Sequence, residues 1–113
     1  MSARAVLTDD VVQMAFDYLK NGSEEIALAR ANVIRAEYAA KRVFSRLFKK
    51  SDGSVDMRKA TATDHEDYAK AMEHLAVAEE TWERVRDQRN RAELILEAWR
   101  TAEASDRSVR NFR

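Results

Sequence analysis

Apolar residues recur along two stretches of this chain in an unbroken alternation of three and four. The first stretch is Ile26, Ala29, Val33, Ala36, Ala40, Val43 and Leu47. The second is Tyr68, Ala71, Leu75, Ala78, Trp82, Val85, Arg89, Ala92, Leu96 and Trp99, broken in character only by Arg89. Heptad spacing of this kind is the mark of a helix that buries one seam against a neighbouring helix. A shorter helix precedes them over residues 9–20, with Thr8 placed as its N-cap, Asp9 and Asp10 at the positive end of its dipole, and Asn21-Gly22 read as a left-handed stop. Ser23 is then the cap of the second helix, 24–49, which carries Glu24 and Glu25 in its first turn and Lys49 and Lys50 in its last. The "SDGS" around Gly53 breaks the pattern, and "TDHE" at 63–66 has the capping-box form that starts a third helix over 64–104. A polar, basic tail follows over 105–113.

These elements predict an all-α fold: one domain over residues 1–113, built as a long antiparallel helical hairpin, coiled-coil in character, with a short N-terminal helix. The near absence of punctuation agrees with long helices, since the chain has no proline and only two glycines, Gly22 and Gly53. At 1.5 Å per residue the third helix spans roughly 60 Å against roughly 40 Å for the second.

Charge then changes the picture, because a net charge of zero hides segregated blocks. From Arg30 to Lys50 seven bases stand against one acid, Glu37; from Asp64 to Glu83 seven acids stand against one base, Lys70. An antiparallel hairpin sets these blocks side by side, and complementary flanking charge fixes partner and orientation in coiled coils. Arg89, the polar residue in the seam, is expected to pair with Glu24 or Glu25 and so fix register, or else to face a phosphate or a partner.

Apolar side chains also lie off the seams, at Ile34, Phe44, Phe48, Met72, Leu94 and Ile95, with Trp99 near the end of the third helix. A bare two-helix hairpin has no second layer for them. Either the first helix covers this surface or the chain self-associates. With a first helix of about a dozen residues, a homo-oligomer is the expectation, with Phe44, Phe48, Leu94, Ile95 and Trp99 in the interface.

Catalytic constellations are not visible, and no enzyme activity, metal or cofactor is expected. His65 and His74 are nine residues apart, neither follows a glutamate by three, and a solvated or helix-capping role suits both. Two isolated glycines cannot build a phosphate loop. The chain has no cysteine, hence no thiol chemistry, and shows neither a secretory signal nor an apolar run of about 18 residues, so no membrane is expected and a cytoplasmic location is.

Bases interleaved with aromatic rings are the remaining chemistry. Lys41, Arg42, Arg46, Lys49 and Lys50 accompany Tyr38, Phe44 and Phe48 on the second helix; Arg100, Arg107, Arg110 and Arg113 accompany Trp99 and Phe112 at the C-terminal end. Phosphate-neutralising charge with stacking rings is how single strands are commonly held, so these nine cations are the candidate nucleic-acid-binding residues. The competing readings are that such rings are core and that the charges only complement the hairpin.

The alternating alanine, arginine and aromatic texture of "ARANVIRAEYAAKRVFSRLF", with "AELILEAWRTAEASDRSVRNF" at the C-terminal end, resembles the small helical-hairpin proteins encoded in phage genomes. More distantly it resembles the T4-type phage recombination mediators, which load a recombinase onto single-stranded DNA as rings of helical subunits. The resemblance implies an oligomeric, non-enzymatic protein that binds single-stranded DNA or assists recombination, with a recombinase or another protein as partner. The alternative is a protein-interaction module, an assembly factor or an inhibitor of a host protein, that uses the same helical surface without nucleic acid.

Overall fold

The computed structural model describes residues 7–111. Four helices follow one another: α1 (Asp9–Asn21), α2 (Ser23–Lys50), α3 (Val55–Asp64) and α4 (Glu66–Asn111), with no strand among the described residues. They group into two compact units. One contains Ala27–Arg84; the other contains the described residues up to Ile26 together with those from Val85 onward.

Within Ala27–Arg84, α2 and α4 form the antiparallel hairpin. Phe44 meets Tyr68 edge to face at 5.5 Å, and the Arg30 guanidinium lies 5.7 Å from the centre of the Trp82 ring. The pairs 44 with 68 and 30 with 82 share one sum, 112, so residue i of α2 lies level with residue 112 − i of α4. Both predicted seams turn inward: Ala29, Val33 and Ala40 are buried, and Ala36, Val43, Leu47, Tyr68, Ala71, Leu75, Ala78 and Trp82 are at least half-buried. Within one residue of this register Ala29 is level with Trp82 and Ala36 with Leu75, small against large, while Ala40 is level with Ala71.

The connection between α2 and α4 departs from the sequence expectation. Gly53 takes φ of 109°, the left-handed conformation that favours glycine, and Ser54 then caps an additional helix, α3, by accepting from the Met57 N–H at 3.2 Å. Arg58 of α3 returns to the end of α2, where its Nε and Nη2 donate to the Phe48 carbonyl at 3.1 and 3.0 Å. The expected capping box at 63–66 does not form. Thr63 Oγ1 donates back to the Lys59 carbonyl at 2.8 Å, which ends its service as a cap, and His65 caps instead: its Nδ1 accepts from the Asp67 N–H at 3.0 Å. His65 is extended (φ −72°, ψ 140°), the backbone break that separates α3 from α4.

In the other unit α1 lies on the Val85–Asn111 part of α4. Val12 and Ala15 meet Ala92 and Leu96 in a buried cluster, with Leu7, Tyr18, Leu19, Ile95 and Trp99 packed around it. Phe16 stands edge to face with Trp99 at 6.3 Å. Thr8 caps α1 as expected, accepting from Val11 N–H at 3.3 Å. Gly22 is not a left-handed stop. Its φ of −89° and ψ of 1° pass the chain almost directly into α2, and its carbonyl accepts from Ile26, so Gly22 rather than Ser23 precedes the new helix.

One more boundary and one expected ion pair differ. The residues expected as a polar tail from 105 continue α4 to Asn111, because nothing in "SDRSVRN" breaks a helix; Phe112 and Arg113 lie outside the described residues. Arg89 pairs along its own helix with Glu93 at 3.4 Å in place of the expected bond to Glu24 or Glu25. No helix among the described residues is long and apolar enough to cross a membrane.

Candidate nucleic-acid interface

A helix turns 100° per residue, so the direction of each base on α2 follows from its number. Arg35, Arg42, Arg46 and Lys49, separated by seven, four and three positions, fall within about 60° of one another. That sector lies opposite the Ala29, Val33 and Ala40 seam. All four are exposed. They form a stripe about 21 Å long on the side of α2 turned away from α4.

None of the four makes an ion pair with α4 among the described residues. Arg42, Arg46 and Lys49 make no ion pair among the described residues, and Arg35 donates only to the neighbouring Asn32 Oδ1, at 3.2 Å. Side chains on the far side of α2 do not reach the acids of α4. Lys70, the base within the acidic stretch, pairs with Glu66 of its own helix at 3.3 Å. Lys50 is exposed and lies about 40° from Arg46, at the border of the stripe. Lys41 lies toward the hairpin groove, with its Nζ 6.0 Å from the centre of the Tyr38 ring.

The rings divide sharply. Phe44 is engaged with Tyr68 and with Phe48, whose centre is 6.4 Å away, while the Arg58 guanidinium covers Phe48 at 4.3 Å. Trp99 is engaged with Phe16 and the α1 cluster. These rings are part-buried and engaged in packing. Tyr38 is the exception at 60% exposed, and Arg35, Lys41 and Arg42 stand three or four residues from it, the spacing at which helical side chains are neighbours. Arg35 joins the candidate cations through its spacing to Arg42 and Lys49, two heptads on one face.

The other candidate cations are on α4, in the unit with α1. Arg100, Arg107 and Arg110 are all exposed, and Arg110 Nε donates to the Asp106 carbonyl at 3.4 Å. Arg113 lies outside the described residues. Of the expected partner-interface residues, Phe44 and Phe48 are part-buried, Phe44 against Tyr68 at the edge of the groove between α2 and α4, and Ile95 and Trp99 pack against α1. Leu94 remains 63% exposed.

Among the described residues no group of three or more His, Asp or Glu side chains is placed to hold a metal ion. Tyr18 has a displaced pKa: loss of hydration raises it, the Glu25 carboxylate adds to the rise, and the Arg89 guanidinium opposes it. Its hydroxyl donates toward the Val85 carbonyl at 3.3 Å and Gln88 Oε1 at 3.4 Å, a contact that ties α1 to α4. The chain matches no family model, no curated protein and no solved structure.

Proposed function

We propose that this protein is a non-catalytic helical module that holds single-stranded nucleic acid along the outer face of α2. One observation carries the reading: Arg35, Arg42, Arg46 and Lys49 form a continuous stripe whose last three members make no ion pair among the described residues, and the exposed Tyr38 ring sits among them. Unpaired guanidinium and ammonium groups at this spacing release counterions when phosphates replace water beside them, and a single accessible ring adds stacking for an unpaired base. Because the other rings are engaged in packing, affinity on this reading is dominated by phosphate contacts and carries little sequence preference. The resemblance to phage hairpin proteins and recombination mediators supports the same assignment and extends it to a role in recombination.

A second reading has its own support. The groove lined by Glu37, Ala40, Lys41 and Phe44 of α2 and by Tyr68, Met72 and Leu75 of α4 is largely apolar, which favours a protein-interaction module.

A salt titration of fluorescent oligonucleotide binding separates the two. Each phosphate contact to a single strand contributes about 0.7 to the slope of log affinity against log salt. Replacing Arg42, Arg46 and Lys49 by alanine is expected to lower that slope by about two at unchanged helicity. Replacing Arg107, Arg110 and Arg113 is expected to leave it alone. If the wild type fails to bind at low salt, the interaction-module reading stands in its place.

A further inference from the structure

The groove between α2 and α4 continues beyond its lining residues. Ile34 follows on the same flank of α2 as Lys41, seven residues before it, and Met72 lies on the matching flank of α4. Both are 41% exposed, although each borders a seam whose other members are covered. One side of the hairpin thus presents Ile34 and Met72 with the part-buried Phe44 and Leu75 between them, and Arg58 of α3 lies over Phe48 at its end.

Charge identifies what fits there. On α2 the charged residues bordering this face are Arg30, Glu37 and Lys41, a balance of +1, while Arg35, Arg42, Arg46 and Lys49 lie on the opposite side of the helix. On α4 Glu79 borders it, and the one base of the acidic stretch, Lys70, lies on the other flank. A partner for both halves must itself be acidic beside α2 and basic beside α4. A second copy of the same hairpin has that distribution, and at zero net charge two copies do not repel each other at long range.

Two different two-fold operations stack this face on itself. An axis across the hairpin, perpendicular to the helices, sets α2 over α2 and α4 over α4, base upon base and acid upon acid. An axis parallel to the helices sets α2 of one copy over α4 of the other at the same height. Because residue i of α2 is level with residue 112 − i of α4, Arg30 then comes within one turn of the second copy's Glu79, and Lys41 comes level with the turn containing its Met72. We infer that two copies associate through the Ile34, Phe44, Met72 and Leu75 face, with the two-fold axis parallel to the helices. The result is a four-helix arrangement in which every neighbouring pair is antiparallel and the two Gly53 turns are at the same end. The basic stripe of α2 lies on the far side of that helix and stays outside the interface.

The chain has no cysteine, so a single Asp52→Cys substitution in the exposed turn gives one spin-label site per copy. Light scattering is expected to give twice 13.0 kDa at tens of micromolar. Electron–electron resonance is expected to give an inter-label distance under about 30 Å, from helices packed 8–10 Å apart plus two label arms. The perpendicular axis separates the turns by more than about 40 Å, so a distance in that range overturns the proposed operator. A monomer mass for the wild type overturns the association itself. Ile34→Glu with Met72→Glu places charge at two already exposed positions, and it is expected to give a monomer of unchanged helicity. A double variant that stays dimeric, with the same label distance, shows that the interface is elsewhere.

Discussion

The guanidinium of Arg58 lies 4.3 Å from the centre of the Phe48 ring and donates two hydrogen bonds to the carbonyl of that same residue. Phe48 is two residues from the end of α2, where carbonyls have no partner within the helix and the dipole is negative. Ser51 shares the task, its N–H donating to Phe48 and its Oγ to the Leu47 carbonyl at 2.7 Å. α3 therefore serves as the C-terminal cap of α2. Arg58→Ala is expected to cost about 1 to 2 kcal/mol, from charge-assisted hydrogen bonds and a ring contact. Arg58→Lys is expected to recover less than half, since an ammonium cannot reproduce the planar fork. Urea unfolding with matched slopes checks both.

Gly22 gives a second prediction, opposite in sign to the usual one. Alanine commonly stabilises a helical position relative to glycine by about 0.5 to 1 kcal/mol. Here a Cβ at residue 22 would stand 2.6 Å from the Tyr18 carbonyl oxygen, which also accepts from the Gly22 N–H at 2.8 Å. Backbone must move to admit it. Gly22→Ala is expected to lower the melting temperature, and a rise would contradict the geometry at this junction.

Tyr18 predicts an alkaline effect. Its pKa in the folded chain is raised above the ordinary value near 10, chiefly by lost hydration. A raised pKa means that the folded state holds the proton more tightly than the unfolded state, so the contribution is complete below pH 10 and is lost as pH rises through the folded pKa. Tyr18→Phe is expected to cost under about 1 kcal/mol at pH 7, given two long hydrogen bonds. The difference between wild type and variant is expected to shrink as pH rises above 10. A constant difference would show that the phenol is fully hydrated.

His65 is expected to behave as an N-cap. His65→Ala removes the acceptor of the Asp67 N–H and is expected to cost about 1 kcal/mol, whereas His65→Asp or His65→Asn is expected to retain most of it. Amide hydrogen exchange at Glu66, Asp67 and Tyr68 reads the same effect locally, with faster exchange in the alanine variant alone.

The seams were legible because burial against one neighbour imposes a heptad, and every seam position of the hairpin from Ala29 to Leu47 is covered. The helix Val55–Asp64 was not, since "VDMRKATATD" has no apolar period and buries only Ala62. The "TDHE" signal misled because a threonine hydroxyl chooses between capping forward and bonding back, and Thr63 bonds back. Cations and rings were found as a composition, but sequence order does not say which way each ring turns. Phe44, Phe48 and Trp99 turned to packing; Tyr38 did not. The surplus apolar residues Ile95 and Trp99 were legible as needing a neighbour, while the choice of α1 as that neighbour depended on contacts made by Val12 and Ala15 far away in the chain.

Residue-resolved titration of the isotope-labelled chain with a short single-stranded oligonucleotide tests the location of binding most directly. The account predicts that amide shifts concentrate at Arg35, Tyr38, Arg42, Arg46 and Lys49 on the outer face of α2, fade with added salt, and spare Glu66, Glu73 and Glu80 of α4. Shifts confined to the Phe44, Met72 and Leu75 groove, or no shifts at low salt, would contradict it.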